Sequence, residues 1–288
     1  MIVVKAGGNG GVDTEALCAD IVELARGGER VILAHGGSHE VNRVSEKLGH
    51  PPQFVTSVSG HVSRYTDRGT LEIFVMVTAG RVNKMLVERL QQLGANAIGL
   101  SGLDGRLLEA ERKPALRVVE NGKRKVLRGD HSGRILRVNV HLLRDLLDAG
   151  YLPVVAPVAI GGDGHALNVD GDRVASAISA AMKADTLIIL SNVPGLLRNF
   201  PDEGTLIERV SLESAQRHLD SHAQGRMKKK MLGAMEAARQ GVARVVIADG
   251  RVENPVQRAL AGHGTAIEGS VASSGSTGAG SAWRGGPG

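Results

Sequence analysis

The sequence is poor in cysteine and in aromatic side chains, and it lacks long apolar runs. One cysteine, Cys18, excludes an internal disulfide and fits a reducing compartment. Aromatic residues are only 2% of the 288 residues, so platforms for stacking nucleic-acid bases are scarce. No apolar run reaches the ~20 residues of a membrane-spanning helix, and Met1 leads into a strand pattern rather than a signal peptide. We therefore expect a globular, cytoplasmic protein that binds neither membrane nor nucleic acid.

Familiar motifs for nucleotide and metal chemistry are also missing. Neither the P-loop pattern G-x-x-x-x-G-K-[ST] nor the catalytic loop of protein kinases occurs. The glycine-rich run at 7–11 lacks the acid and the spacing of a dinucleotide fingerprint. Ten histidines show no metal-ligand spacing, so we predict no metal-binding residue. Any phosphoryl transfer by this chain needs a different scaffold.

Short, continuously apolar runs alternate with helical patterns along the chain. The predicted strands cover 2–6, 31–35, 97–100, 153–158, 186–190 and 244–248, and helical stripes cover 17–25, 142–147 and 174–182. Continuous apolar runs are typical of strands that are buried on both faces. We predict an α/β protein, a three-layer αβα sandwich around an open and mostly parallel central sheet.

Changes in composition suggest how the chain is divided. A glycine cluster at 161–164 predicts a boundary between a lobe of residues 1–160 and a lobe of residues 161–268. From residue 269 the chain consists largely of glycine, serine and alanine. We predict that 269–288 form a disordered tail.

A glycine pair follows each of the first two predicted strands. Lys5 precedes Gly7 and Gly8, and His35 precedes Gly36 and Gly37. Taken singly, such a pair is more often a tight turn than a ligand site. Two pairs at neighbouring strand ends offer backbone N–H groups on both sides of a crevice, which suits a phosphate.

Charged residues elsewhere in the chain complement this crevice. A second lysine, Lys230, lies in a glycine-flanked setting, and lysines on both sides of a migrating phosphoryl group stabilise its charge. Asp172 has two interpretations, since it either caps the helix that follows or holds the two lysines in place. Asn168 offers an amide to a substrate carbonyl or carboxylate. The sequence therefore indicates a kinase.

The net charge of +5 is concentrated in one segment. Residues 106–137 hold ten Lys or Arg against four Asp or Glu. Strand patterns at 116–120 and 123–127 flank Asn121 and Gly122, which predicts a basic hairpin within this segment. An acidic protein, a charged small molecule and a merely solvated hairpin all remain open as explanations.

In their order along the chain, these motifs resemble the amino acid kinase superfamily, in particular its N-acetylglutamate kinase-like branch. The resemblance covers about residues 1–268 and is carried by Lys5 with Gly7 and Gly8, and by the segments 35–37, 64–67, 79–84, 99–105, 150–155, 168–172, 184–195 and 225–230. It implies transfer of phosphate from Mg-ATP to a side-chain carboxylate. It also implies a homodimer, with the substrate in the amino-terminal lobe and the nucleotide in the carboxyl-terminal lobe.

The resemblance assigns roles to individual residues. Those implied for phosphoryl transfer are Lys5, Gly8, Asp172 and Lys230. Those implied for the substrate carboxylate are Gly36, Gly37, Arg64 and Asn168. Those implied for the nucleotide are Gly7, Ser191, Asn192, Gly195 and Lys228, with Mg²⁺ held chiefly by ATP and water.

Two departures point to one branch of the family. Asn192 replaces an aspartate that many members carry, and the basic hairpin exceeds what an acetyl group requires. Both resemble the lysine-biosynthetic branch, which phosphorylates α-aminoadipate attached to the acidic carrier protein LysW. The residues expected to dock the carrier are Arg112, Lys113, Arg117, Lys123, Arg124, Lys125 and Arg128. N-acetylglutamate kinase, a carrier-bound glutamate kinase and an inactive nucleotide or amino-acid sensor are the alternatives.

Overall fold

The computed structural model describes residues 1–8, 11–58, 60, 62–120 and 122–268. The predicted tail 269–288 and Asn121 of the predicted turn lie outside the described residues. The strands are β1 (Ile2–Ala6), β2 (Val31–His35), β3 (Phe54–Ser57), β4 (Val62–Arg64), β5 (Ala97–Ser101), β6 (Leu108–Arg112), β7 (Leu116–Glu120), β8 (Lys123–Leu127), β9 (Gly133–Val138), β10 (Leu152–Ala156), β11 (Val158–Gly161), β12 (Ala166–Asn168), β13 (Thr186–Ser191), β14 (Arg209–Ser211), β15 (Arg244–Asp249) and β16 (Thr265–Glu268).

The α-helices are α1 (Thr14–Arg26), α2 (Ser38–Lys47), α3 (Arg68–Val75), α4 (Asn83–Gln92), α5 (Val140–Asp148), α6 (Gly171–Met182), α7 (Ala215–His222), α8 (Gly225–Arg239) and α9 (Pro255–Leu260). A π-helical segment, Met76–Val82, joins α3 to α4. Short 3₁₀ turns cover Asp104–Arg106 and Glu203–Thr205. Segments of π-helix are rare and occur frequently at functional sites.

An eight-stranded sheet forms the centre, in the order β14-β16-β15-β13-β1-β2-β10-β5. Its neighbouring strands are parallel, except that β15 and β16 are antiparallel. Strand β1 lies between β2 and β13, and each of its residues is buried. The six strands predicted from continuous apolar runs all contribute to this sheet, and the prediction of an open, mostly parallel sheet is confirmed.

Alternate residues of the central strands pack against helices on opposite faces. Val3 points to one face together with the buried side chains of α5, α6, α7 and α8. Ile2 and Val4 point to the other face with those of α1, α4 and α9. The prediction of a three-layer αβα sandwich is confirmed, because a parallel sheet is stable when helices cover both of its faces.

The predicted strand at 153–158 is two strands. Strand β10 ends at Ala156, and β11 begins at Val158 in a different sheet. Pro157 lies between them. A proline has no N–H to donate to a strand ladder, so the chain leaves the central sheet at this residue.

Two four-stranded sheets accompany the central one, in the orders β12-β11-β6-β9 and β4-β3-β7-β8. The basic segment 106–137 contributes to both of them. The hairpin itself is β7 and β8, in which Glu120 pairs with Lys123 and Gly122 has a φ of 73°. Residues 161–164 form the turn between β11 and β12 of one sheet. The division into two lobes near residue 160 stays a prediction.

Two further observations concern Cys18 and the length of the helices. Cys18 is fully buried in α1, and burial, followed by the charge of Glu15, raises the pKa of its thiol to about 12. A thiol with such a pKa is a poor nucleophile.

Among the helices of the described residues, none has the combined length and apolarity that crossing a bilayer demands.

Candidate active site

Two lysines converge on one carboxylate oxygen at the carboxyl-terminal end of the central sheet. Lys5 Nζ lies 2.7 Å from Asp172 Oδ1, and Lys230 Nζ lies 3.4 Å from the same atom. All three side chains are nearly buried, with at most 11% of each exposed. In open α/β sheets ligands bind at this end of the strands.

Three different elements carry these side chains. Lys5 is near the end of β1, Asp172 is in the first turn of α6, and Lys230 is in α8. Helices α6 and α8 approach closely at Gly233, whose carbonyl accepts a hydrogen bond from Ser176 Oγ at 3.0 Å. The N-cap of α6 is Asp170, whose side chain accepts from the Asp172 and Arg173 N–H groups. Asp172 is therefore free of the capping role and faces the lysines.

Burial and the neighbouring charges shift the pKa values of Asp172 and Lys230. Burial alone would raise the pKa of the Asp172 carboxyl, but the charges of Lys5 and Lys230 outweigh burial and lower that pKa below its usual range. Burial, and then the like charge of Lys5, lower the pKa of Lys230 to about 8, although Asp172 opposes the shift. Two ammonium groups share one carboxylate, so the site keeps a positive charge that favours an anion.

The two glycine loops beside Lys5 are in backbone contact. A Cβ atom added to Gly8 would lie 2.1 Å from the Gly37 nitrogen, and one added to Gly36 would lie 2.8 Å from the Gly8 nitrogen. The Gly36 N–H donates to the Ala6 carbonyl at 3.0 Å. Only glycine allows this approach, so the space beside Lys5 is walled by backbone rather than by side chains.

A network of hydrogen bonds between buried polar groups lies behind the second glycine loop, Gly36–Gly37. His35 Nδ1 is 2.7 Å from the Gly36 carbonyl oxygen, and His35 Nε2 is 3.1 Å from Asn83 Nδ2. A carbonyl only accepts, so Nδ1 carries the proton and Nε2 accepts from Asn83. Lys84 Nζ donates to Asn83 Oδ1 at 3.1 Å and orients that amide. Burial lowers the pKa of His35 to about 4, which keeps the ring neutral.

Arg64 and Asn168 flank the same region. Arg64 Nη2 donates to Asn42 Oδ1 at 2.5 Å and to the Ser38 carbonyl at 3.4 Å, at the start of α2. Its Nη1 is buried and has no hydrogen-bond partner among the described residues, and burial lowers the pKa of the guanidinium. Asn168 Nδ2 donates to Thr66 Oγ1 at 2.9 Å. A buried, unsatisfied N–H group fits an anionic ligand.

A cavity of about 430 Å³ opens beside Lys230. Four of the residues that the resemblance implies for the nucleotide line this cavity: Gly7, Ser191, Asn192 and Gly195. Lys228 does not line the cavity, and its side chain is exposed. The volume is typical of small-molecule sites.

Sequence reasoning missed part of this lining. Phe200, His222 and Met227 contribute to the cavity wall, and Phe200 is 62% exposed. Phe200 is one of three phenylalanines in a chain with 2% aromatic residues. This scarcity is the feature of the sequence that could have drawn attention to it. Nothing in its local pattern connects it to Lys230, because Phe200 lies in the loop after β13 and Lys230 lies in α8.

The basic residues of 106–137 fall into two groups. Arg106 and Arg137 pair with Glu109, and Arg134 pairs with Glu111, so much of the charge around β6 and β9 is neutralised. Arg112 is half-buried and donates to the Asp130 carbonyl, and Lys113 lies in the loop after β6. The remaining predicted docking residues are on the hairpin or directly after it: Arg117, Lys123, Arg124, Lys125 and Arg128, of which Lys125 pairs with Glu120.

Comparison with known proteins identifies the class. The amino acid kinase family matches residues 1–249. The chain is 58% identical over 267 residues to the [LysW]-aminoadipate kinase of Deinococcus radiodurans, covering 93% of this chain and 91% of that protein. It is 54% identical over 269 residues to the [LysW]-aminoadipate kinase of Thermus thermophilus, covering 93% and 100%.

Solved structures agree on the fold. N-acetylglutamate synthase from Neisseria gonorrhoeae, complexed with coenzyme A and N-acetyl-glutamate, superposes with a TM-score of 0.74 at 27% identity. The match covers 93% of this chain and 59% of the synthase chain. Carbamate kinase from Giardia lamblia gives a TM-score of 0.66 at 17% identity, covering 93% and 98%, and shows the shared fold alone.

The chain belongs to the amino acid kinase family. It is an enzyme of the phosphotransferase class, and ATP is the substrate that a kinase of this family uses. The predictions of the family, of its fold and of a kinase are confirmed.

Proposed function

We propose that this protein transfers a phosphoryl group from ATP to the side-chain carboxylate of α-aminoadipate carried on LysW, giving an acyl phosphate in lysine biosynthesis. The contact of Lys5 and Lys230 with one oxygen of Asp172 is the observation that carries the chemistry. The identities of 58% and 54% to proteins named [LysW]-aminoadipate kinase support the substrate.

The proposed transfer needs charge stabilisation more than proton chemistry. The acceptor carboxylate is already ionised at neutral pH, so no general base is required. A carboxylate oxygen forms the new bond to the γ-phosphorus, and the bond to the bridging oxygen breaks, so that ADP leaves with the electron pair. Lys5 and Lys230 would neutralise the transferring oxygens, Gly8 and Gly37 N–H groups would assist, and Asp172 would hold the ammonium groups in place.

The proposed site for the acceptor consists of Gly36, Gly37, Arg64 and Asn168. In the part of the chain that the structure describes, nothing accepts a hydrogen bond from Nη1 of Arg64, which supports this role because a carboxylate would satisfy a buried donor. Arg64 lies beside the start of α2, where the helix dipole also favours an anion. These groups would hold the reacting carboxylate in line with the phosphoryl group.

The cavity beside Lys230 is the proposed ATP site. Glycine N–H groups and lysine suit phosphates, and Phe200 with Met227 offers apolar surface for the base. Mg²⁺ supplies further charge neutralisation when it is bound, and we expect ATP oxygens and water to hold it. Lys228 is retained as a nucleotide contact only by resemblance, since it lies outside the cavity lining.

The basic hairpin is the proposed docking element for the carrier. Arg117, Lys123, Arg124 and Lys125 are exposed on β7 and β8. Positive potential on this element would speed encounter with an acidic protein and orient it toward the cleft.

We also propose a homodimer. Met76 and Met85, on the continuous helical stretch from α3 to α4, are 52% and 50% exposed, which supports a subunit contact there.

A carrier-bound glutamate acceptor is the second candidate. A relative from Cenarchaeum symbiosum, 46% identical and covering 91% of this chain and 96% of that protein, is named putative [LysW]-aminoadipate/[LysW]-glutamate kinase. Free N-acetylglutamate is the third acceptor, and a sensor without turnover is the non-enzymatic alternative.

One assay separates these possibilities. The purified protein is incubated with Mg-ATP and, in turn, carrier-bound aminoadipate, carrier-bound glutamate and free N-acetylglutamate, and the acyl phosphate is trapped as a hydroxamate. We expect the highest kcat/KM with carrier-bound aminoadipate. Lys5→Ala should abolish turnover and leave the circular dichroism spectrum unchanged. Equal turnover by wild type and Lys5→Ala would refute the mechanism, and preference for N-acetylglutamate would refute the substrate.

A further inference from the structure

The sheet that contains the basic hairpin has one face exposed to solvent. In an antiparallel ladder, directly paired residues point to the same side. Val119 pairs with both Arg124 and Thr56, and Thr56 pairs with Val62. Because side chains alternate along each strand, one side carries a set that we call the open face: Phe54, Thr56, Val62, Arg64, Arg117, Val119, Arg124 and Val126.

Large apolar side chains on the open face are unusually accessible. Phe54 is 54% exposed, Val62 is 50% exposed and Val126 is 60% exposed. On the opposite side of the sheet, Val118 is only 3% exposed. Apolar residues scattered over a surface need no explanation, but a contiguous patch on one sheet indicates a contact with another molecule.

The open face leads into the candidate acceptor site. Arg64 belongs to it, and its guanidinium lies 5.2 Å from the centroid of the Phe54 ring. The same guanidinium contacts the Ser38 carbonyl beside the glycine loop. Lys229, next to Lys230 in α8, donates to the Val62 carbonyl at 2.8 Å. A molecule seated on the open face is therefore adjacent to the phosphoryl-transfer residues.

We propose that the open face binds the folded part of the acidic carrier protein through a mixed contact, in which Val119 and Val126 cover an apolar patch of the carrier and Arg117 and Arg124 bind its carboxylates. This inference rests on the proposed function. It adds that docking is not only electrostatic, and that the open face makes the direct contacts, whereas Lys123 and Lys125 contribute only long-range attraction. Lys123 and Lys125 point to the other side, since they pair with Glu120 and Val118.

Charge complementarity selects this occupant. A face with three arginines and no acidic side chain of its own attracts an acidic surface and repels a second basic one. The apolar contact acts only at short range and is insensitive to salt. The electrostatic attraction of the carrier by the arginines and the apolar contact made by the valines therefore differ in salt dependence, and an experiment can separate them.

The experiment measures by titration calorimetry the affinity of the protein for purified carrier-bound aminoadipate. Three double variants and one single variant are compared with the wild type. Val119→Ser with Val126→Ser should weaken binding by about tenfold at both low and high salt. Arg117→Ser with Arg124→Ser should weaken it mainly at low salt. Two controls are matched in chemistry: Lys123→Ser with Lys125→Ser removes equal charge from the other side, and Leu136→Ser changes an apolar side chain that is 61% exposed on β9.

The outcomes discriminate between occupants. Wild-type affinity in the valine variant, or equal losses in the valine variant and Leu136→Ser, would overturn the inference while leaving the proposed function intact. A change of oligomeric state in the valine variant, measured by sedimentation, would assign the open face to a second copy of this chain and also overturn it. If the wild-type protein itself neither binds nor phosphorylates the carrier-bound substrate, the proposed function fails together with the inference.

Discussion

The backbones of Gly8 and Gly37 touch so closely that a Cβ atom on Gly8 would lie 2.1 Å from the Gly37 nitrogen. The nearest obstacle is backbone, which has no alternative rotamer to adopt. The two loops that flank Lys5 can therefore approach this closely because Gly8 and Gly36 carry no side chain.

Gly8→Ala should separate these loops and lower kcat. A shift of about 1 Å in positioning groups can reduce a rate by about a hundredfold, so we expect a loss of that order. Gly162→Ala is the matched control, because a Cβ atom there meets nothing within 4 Å. Steady-state kinetics of both variants check the prediction, and similar rates for both would contradict it.

Asp172→Asn should affect both stability and the pH optimum. Removing one partner of a buried charged cluster typically costs about 3–5 kcal/mol, because the remaining charges are unpaired. Lys230 should then lose its proton at lower pH, because Asp172 no longer opposes the lowering of its pKa, and the activity optimum should move toward acid. Thermal unfolding and a pH–rate profile measure the two effects. Asp170→Asn, which keeps a good N-cap residue beside Asp172, should change neither by a comparable amount.

Activity should fall as pH rises through about 8, where Lys230 loses its proton. The charged ammonium is present below that pH and absent above it, so kcat/KM for ATP should show a basic limb near 8. Lys230→Arg should move this limb out of the accessible range, because a guanidinium stays protonated. Lys228→Arg, outside the cavity, should leave it in place. If the basic limb of the pH profile stays near pH 8 in Lys230→Arg, a group other than Lys230 is responsible for it.

His35 should act through its Nδ1 proton on the Gly36 carbonyl. His35→Asn retains a donor near the position of Nδ1, whereas His35→Gln retains the polar group nearer Nε2 and Asn83. We expect His35→Asn to keep most of the kcat and His35→Gln to lose roughly tenfold or more. Comparison of kcat with KM and with unfolding temperature checks this. The reverse order would show that the Asn83 contact matters more than the glycine loop.

A second consequence of His35 concerns acid stability. Its pKa is lowered by burial to about 4, so between pH 6.5 and 4 the unfolded chain binds a proton that the folded chain does not. The contribution of this residue to stability therefore decreases as pH falls through that window, by about 1.4 kcal/mol per pH unit at most.

Much of the architecture was predictable from local pattern. Continuous apolar runs such as that of β1 are buried on both faces, and the stripe of α6 has the helical period. Both signals arise from nearest neighbours in the chain. The strands that were missed, including β3, β4, β9 and β12, are short or partly exposed, so their residues lack a strong apolar pattern.

The candidate site was predictable only in part from the residues themselves, and the resemblance supplied the roles of the others. Glycine pairs and lysines gave its chemistry, but Asp172 had two local interpretations, and the structure gives the N-cap to Asp170. The cavity contact of Phe200 had no local signal. The side of the hairpin that each basic residue occupies depends on strand register, which is a relation between distant segments.

By itself, the sequence determined the main buried strands and helical stripes, the position of the glycine pairs and the charge of the hairpin, because each depends on residues that are adjacent or one turn apart. Tertiary structure alone decided that Lys5 and Lys230 meet at Asp172 Oδ1 and that Val126 and Arg117 share an exposed face. Packing of α6 on α8 and pairing of β7 with β8 bring these groups together, and no local propensity encodes those distances.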